Sequence, residues 1–470
     1  MSLRAGLIVV LLALAIAGPI AQGDTTTPLH WAVHKGDVAE VDRLIKAGAN
    51  VNARTDLGVT PLSEAALASN TALIERLLKA GADPNAPGAD GQTALMVIAR
   101  TTNVAAARLL LDHGANVNAA EAQRKQTALM WAAAQSQAAM VKELIARGVD
   151  VNAISLVNDI PSQVSPEPRA LYRPAGGLTP LLYATREGCL ECVKSLVAGG
   201  ARLDLADPEG VTPLITATWN MHFDTAAYLI AAGANVDQWD WWGRSALYCA
   251  VDVNTIPRGG RPDAPSLDEA TSLDIIRMLL EKGANPNLQL KLLPPFRNIG
   301  ADRGVDQMLT IGATPLLRAA KALDAPAVAL LLKHGANPNL PNLRGTTPVM
   351  AAAGLGSVDA DTRGVFTTED TPQRSIASLD LLIKAGGNIH LTDFRGQTPL
   401  LGAAFWGWYA AVQFLVDKGA TLDAKDLKGM TPIDSALGKA GGNSRGGQRI
   451  DVHEDTAELL RSLMARSASR

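Results

Sequence analysis

Cysteine is scarce, with three in 470 residues. A chain so poor in it does not rest on a disulfide framework, so its core must hold it together. Aromatic residues are sparse at 4%, although 47% of the residues are hydrophobic. Ala and Leu dominate that apolar share, which favours small, closely packed helices. Basic excess is absent: the net charge of −3 argues against a nucleic-acid binder that works by neutralising phosphates. Beyond the N-terminus there is no run of about 18 apolar residues, so nothing else is expected to span a bilayer. HExxH and a Gly-rich phosphate loop opening a helix are both missing. Asp and Glu are scattered, which leaves no carboxylate pair to nominate as acid and base. No enzyme activity, cofactor or metal is expected.

The first residues, "MSLRAGLIVVLLALAIAGPIAQGDTTTPLH", put Arg4 ahead of an apolar run from Ala5 to Ala17 and small residues after it. This pattern predicts a secretory signal peptide over 1–23. An uncleaved anchor is the alternative. No cysteine lies near the cleavage region, so a lipoprotein is not expected. The expected compartment is oxidising, periplasmic or extracellular. The leader and the Ala-rich chain suggest a bacterial source.

What the chain does have is a repeated unit. "TPLHWAVHKGDVAEVDRLIKAGANVNA" begins at Thr27, and its relatives begin at Thr60 and Thr93, each 33 residues on. The motif returns at Thr127, Thr179, Thr212, Ser245, Thr314, Thr347, Thr398 and Thr431. Thr is a good helix N-cap, and Pro fits the first turn, where its missing N–H is no loss. A second helix such as "EVDRLIKA" has apolar residues at helical spacing, and the glycine of "AGAN" can end it in the left-handed conformation. The polar stretch "NVNARTDLG" suits an extended finger leading to the next copy. One such pair cannot bury its apolar face alone, so neighbours must stack.

The "TPLH" of residues 27–30, the period and "LLKAGADPN" at 77–85 resemble ankyrin repeats. The resemblance covers roughly residues 25–465, with ten repeats and a divergent eleventh that caps the C-terminus. It implies an all-α repeat solenoid of stacked helix pairs, with short β-hairpin-like fingers and several long loop insertions, over 24–470. It also implies a monomer that binds protein partners, with no nucleic acid and no stable membrane span. The motif histidine survives only as His30, which puts its polar bridging role in doubt in the other repeats.

Insertions interrupt the period. Residues 155–177 and 288–311 lengthen two fingers, whereas 253–270, 355–375 and 438–453 separate the two helices of repeats 7, 9 and 11. The last three should emerge on one edge, opposite the fingers. Their two-repeat spacing is roughly 20 Å if neighbouring helices sit about 10 Å apart. At least one is a candidate partner contact.

Cys189 and Cys192 stand in a CxxC spacing within "EGCLECVKSLV". Plain packing is the favoured reading, because Cys192 replaces a core valine. A local disulfide formed after export, and metal or redox chemistry, are the alternatives. Cys249 is expected to stay outside any disulfide. His30 and His34 have a chelating i, i+4 spacing, but no third ligand is near.

The aromatics are the better lead. By the resemblance, positions four, seven and eight after each motif threonine face a concave groove. They hold Trp31, Trp131, Tyr183, Trp219, Phe405 and Trp406, and the finger "QWDWWG" adds Trp239, Trp241 and Trp242. Trp and Tyr are enriched at binding hot spots, so these nine residues are the candidate partner-binding surface. Trp408 is expected in a turn or the core. A structural spacer and an insertion-built pocket for a small molecule are the competing readings.

Overall fold

Threonine hydroxyls start most of the repeats. The Oγ1 of Thr60 accepts the Ser63 N–H at 3.1 Å, Thr212 that of Ile215 at 3.2 Å, and Thr314 that of Leu317 at 3.1 Å. Ser245 does the same for Tyr248, while Thr398 holds the position without that bond. Such a cap contributes about 1 kcal/mol per helix. At His30 the expected bridge is present: Nδ1 accepts the Thr27 N–H at 3.2 Å, and Nε2 donates to the Val59 carbonyl of the next repeat at 3.1 Å. Elsewhere Ser63 and Met96 turn back onto their own cap instead. Each second helix before the last ends at a glycine. Gly81, at φ +88°, adopts a conformation that side chains disfavour.

The computed structural model describes residues 25–88, 90–158, 175–254, 267–292, 310–355, 370–439 and 452–468. The leader expected over 1–23 and the central part of every insertion lie outside them. Eleven helix pairs follow one another among the described residues, from Pro28–His34 with Val38–Lys46 to Pro432–Ala436 with Glu454–Ala468. The helical, repeating architecture expected from the sequence is the one observed.

First helices pack on first helices of the neighbouring repeats and second helices on second helices. The first-helix contacts are built from alanine pairs, among them Ala65–Ala66, Ala132–Ala133, Ala319–Ala320 and Ala403–Ala404, all fully buried. Fully buried leucines of the second helices, including Leu77, Leu110, Leu144, Leu196 and Leu229, fill the space between the layers. Truncating such a leucine costs about 2–5 kcal/mol.

A polar ladder runs beside this core. Asn52 Nδ2 donates to the Gly81 carbonyl at 3.0 Å, and its Oδ1 accepts the Asp83 N–H at 2.8 Å. Asn85, Asn152, Asn287 and Asn339 repeat both bonds toward the following repeat. At Asp204 and Asp237 the carboxylate keeps the accepting half and cannot donate. His390 ends the series, facing Thr421 at 3.4 Å.

Insertions are anchored at their bases. Val157–Asn158 pairs antiparallel with Ala175–Gly176 across the first long finger. On the opposite edge, Asp268 at the end of the repeat 7 insertion accepts the Phe223 N–H at 2.5 Å. It thereby caps a helix whose own N-cap, His222, supplies no side-chain bond. Asp224 answers by accepting the N–H groups of Glu269 and Ala270.

The ladder is testable. Asn85→Ala removes two bonds across one repeat interface and is expected to lower stability by about 1–2 kcal/mol, read as a shifted urea midpoint with an unchanged slope.

Candidate protein-interaction surfaces

Three of the six groove-facing aromatics expected to meet a partner have an arginine of the chain against them. The Arg100 guanidinium lies 3.8 Å from the Trp131 ring, and burial pushes the Arg100 pKa down. Arg186 stands 5.1 Å from Tyr183. Tyr183 is buried, and its hydroxyl accepts from Gln126 Nε2 at 2.6 Å. Arg244 lies 4.1 Å from Trp219 and 4.6 Å from Trp242. A cation over an indole face is held by the ring quadrupole, more strongly when desolvated. Trp131, Tyr183, Trp219 and Trp242 thus each face an arginine of the chain itself; Tyr183 and Trp242 are buried, whereas Trp131 and Trp219 are partly exposed. Trp31, in the first repeat, is half exposed.

The finger "QWDWWG" divides its tryptophans. Asp240 accepts the N–H groups of Trp242 and Arg244 at 3.0 and 2.9 Å and the Arg244 Nε at 2.7 Å. Burial pushes the Asp240 carboxyl upward, while Arg244 and those N–H groups pull it back. The turn thus closed sends successive side chains in opposite directions. Trp241 is 48% exposed and Trp242 only 2%. Trp239 is also half exposed, with Lys291 Nζ 5.8 Å from its ring.

Phe405 and Trp406 lie in an aromatic cluster. Their rings meet edge to face at 5.6 Å, Trp406 stacks on Trp408 at 6.3 Å, and Trp406 Nε1 donates to the Gly354 carbonyl at 2.8 Å. Both are partly buried, and Trp408 is in the core as expected. A Cβ on Gly354 would come within 2.7 Å of the Trp406 ring, so this glycine is needed for the close approach. The cluster braces repeat 9 against repeat 10.

Exposed apolar side chains other than tryptophan also stand on the finger turns. Leu343, Phe394 and Leu427 are 69%, 56% and 79% exposed. Each occupies the second place of a finger turn, "NLRG", "DFRG" or "DLKG", which is the place of Trp241 in "DWWG". That shared position was the signal available in the sequence. Main-chain bonds join one tip to the next: Leu343 N to Ile311 O at 2.8 Å, Phe394 N to Arg344 O at 2.9 Å, and Leu427 N to Arg395 O at 2.8 Å. Lys291 N to Trp242 O, at 2.7 Å, continues the row toward Trp241.

Ankyrin-repeat family models match residues 4–88, 70–155, 181–290, 311–343 and 395–427. The chain belongs to the ankyrin-repeat family. It is 31% identical over 139 residues to human ankyrin repeat domain-containing protein 63, covering 28% of this chain and 32% of that one. Zebrafish inversin is 32% identical over 108 residues, covering 23% of this chain and 9% of that protein. Mouse protein phosphatase 1 regulatory subunit 12A is 40% identical over 58 residues, covering 12% of this chain and 6% of that subunit. The matched region thus spans a third or less of each relative. The solved ankyrin domain of Bcl-3 aligns with 48% of this chain and 94% of its own, at 25% identity and a TM-score of 0.41.

Ankyrin repeats are in general protein-interaction modules, and members of the family are typically non-catalytic. Among the described residues no three His, Cys, Asp or Glu side chains gather as a metal site, and no helix is long and apolar enough to cross a membrane. His30 bonds within the fold as described, and His34 pairs with Glu64 at 2.6 Å. Cys249 is buried and takes no part in a disulfide. Cys189 and Cys192 are joined by one, a departure from the favoured packing reading, although Cys192 is indeed buried.

Arg244→Ala would leave the Asp240 carboxylate buried without its cation. We expect a loss of about 3–5 kcal/mol in urea unfolding, well beyond that of a surface arginine such as Arg43.

Proposed function

We propose that this ankyrin chain is an exported binding module that holds a partner protein along the finger tips of repeats 6 to 10. The observation that carries the reading is the row of Trp241, Ile311, Leu343, Phe394 and Leu427. These are exposed apolar side chains on tips connected by main-chain hydrogen bonds. Contiguous exposed apolar surface on a folded protein marks an interaction site. Tips fixed at their backbones lose little conformational entropy on binding, and large apolar side chains there can act as anchors. Export rests on the leader pattern at 1–23.

The row favours a binder over a spacer, which has no use for leucine and phenylalanine in water. Of the groove aromatics, Trp131, Tyr183 and Trp219 already face an arginine of the chain, which leaves the fingers as the more open apolar surface.

The test uses the mature protein as bait in envelope extract and culture fluid, beside a Trp241→Ala/Phe394→Ala/Leu427→Ala variant and a Trp31→Ala control. A partner held by native bait and by the control should bind the finger variant at least about 100-fold more weakly, given hot-spot losses of about 1–2 kcal/mol each. Equal recovery by all three baits would defeat the finger reading.

A further inference from the structure

We propose that Cys189 and Cys192 form a thiol–disulfide exchange site, which trades electrons with a dithiol or disulfide of a partner protein on the edge opposite the fingers. The second helix of repeat 5, Leu190–Ala198, has Cys189 as its N-cap, so Cys192 is its third residue. This is the capping-box spacing, in which each side chain turns toward the backbone N–H of the other position. In other repeats the same two places hold Asp37 and Glu40, Asn70 and Leu73, or Asn103 and Ala106. With sulfur at both, the helix start itself brings the pair together, and the two are bonded.

The sulfurs differ in access. Cys192 is fully buried, whereas Cys189 is partly exposed, so an incoming thiolate reaches Cys189 alone. Once reduced, Cys189 is the sulfur whose thiolate the site supports. The Cys192 N–H points at its Sγ from 3.2 Å, and a helix N-terminus lowers a thiol pKa. His222 of the next repeat stands against the preceding residue. Its Nε2 lies 3.0 Å from the Arg186 carbonyl and so donates to it, leaving the Nδ1 edge toward Gly188. A Cβ at Gly188 would come within 2.4 Å of that nitrogen. The neighbouring acids Glu187 and Glu191 are paired with Arg186 and Lys194 at 2.9 and 2.8 Å.

Nothing in the fold requires the bond to persist. It closes a loop with only two residues between the cysteines, and a short loop restrains the unfolded chain least. A free sulfur on Cys189 can still accept the Cys192 N–H, so the helix stays capped in both states.

The exchange balances as follows. A partner thiolate attacks Cys189 Sγ, the S–S electron pair leaves with Cys192, and Cys192 takes a proton. A second partner thiolate then attacks the partner sulfur of the mixed disulfide and releases Cys189. Two electrons and two protons pass from the partner dithiol to the pair. In reverse, the Cys189 thiolate attacks a partner disulfide and Cys192 resolves the intermediate.

The experiment uses the mature protein in glutathione buffers of graded ratio, followed by acid quench, alkylation and mass spectrometry, with circular dichroism as the folding check. Both redox forms should interconvert while the helical signal is unchanged. Reduced Cys189 should alkylate at least about tenfold faster than Cys192 or Cys249. Cys192→Ser should accumulate a glutathione adduct on Cys189, and Cys189→Ser should form none on Cys192. A bond that resists excess reduced glutathione until the protein unfolds, a pair that never oxidises, or equal alkylation of the two cysteines would each overturn the proposal. Either serine variant that fails to fold leaves the wild-type equilibrium and alkylation rates to decide it.

Discussion

Everything in this chain depends on the apolar contact between one helix pair and the next. A pair built around Leu110, with Ala106 and Ala107 buried beside it, has no interior of its own. It acquires one only when repeats 2 and 4 cover its two faces. That requirement explains the alanines, because first helices whose flanks are both occupied must approach closely. It also explains where additions are tolerated. A segment inserted on a stacking face would separate two repeats, so every insertion leaves the stack at the fingers or at the turn between helices.

The polar groups follow the same geometry. Asn85 spends its amide across an interface, donating to Gly114 O and accepting from Asn116 N. Arg244 bridges aromatics of repeat 6 and its finger. Such contacts join adjacent units only, so rigidity is transmitted from neighbour to neighbour and the finger tips inherit it. The finger edge thus offers a fixed row of apolar side chains, while the turn edge carries the Cys189–Cys192 bond.

The fold was legible because its signals are local and recur along the chain: Thr–Pro at a helix start, glycine at a helix end, asparagine in the finger. The surface was less legible, for physical reasons. A groove position names the side chain but not the arginine that a neighbouring repeat lays over it, as with Trp131 and Arg100. Adjacent tryptophans at 241 and 242 look alike in sequence, yet the Asp240 turn points one to solvent and buries the other. Leu343, Phe394 and Leu427 do not stand out by residue type, because leucine and phenylalanine are usually core residues, although the turn position they share with Trp241 marks them. The CxxC spacing of Cys189 and Cys192 leaves packing and a local disulfide both open. Their relation as N-cap and third helical residue is what brings the sulfurs together.

The nearest-neighbour account is tested most directly by hydrogen exchange across the whole chain after Leu110→Asp, a charge placed in the interior of repeat 3. The account predicts that protection falls first and furthest in repeats 2 to 4 and is retained toward repeat 11. Uniform loss of protection along all repeats would contradict it, because the chain would then be folding as one indivisible core rather than as a stack.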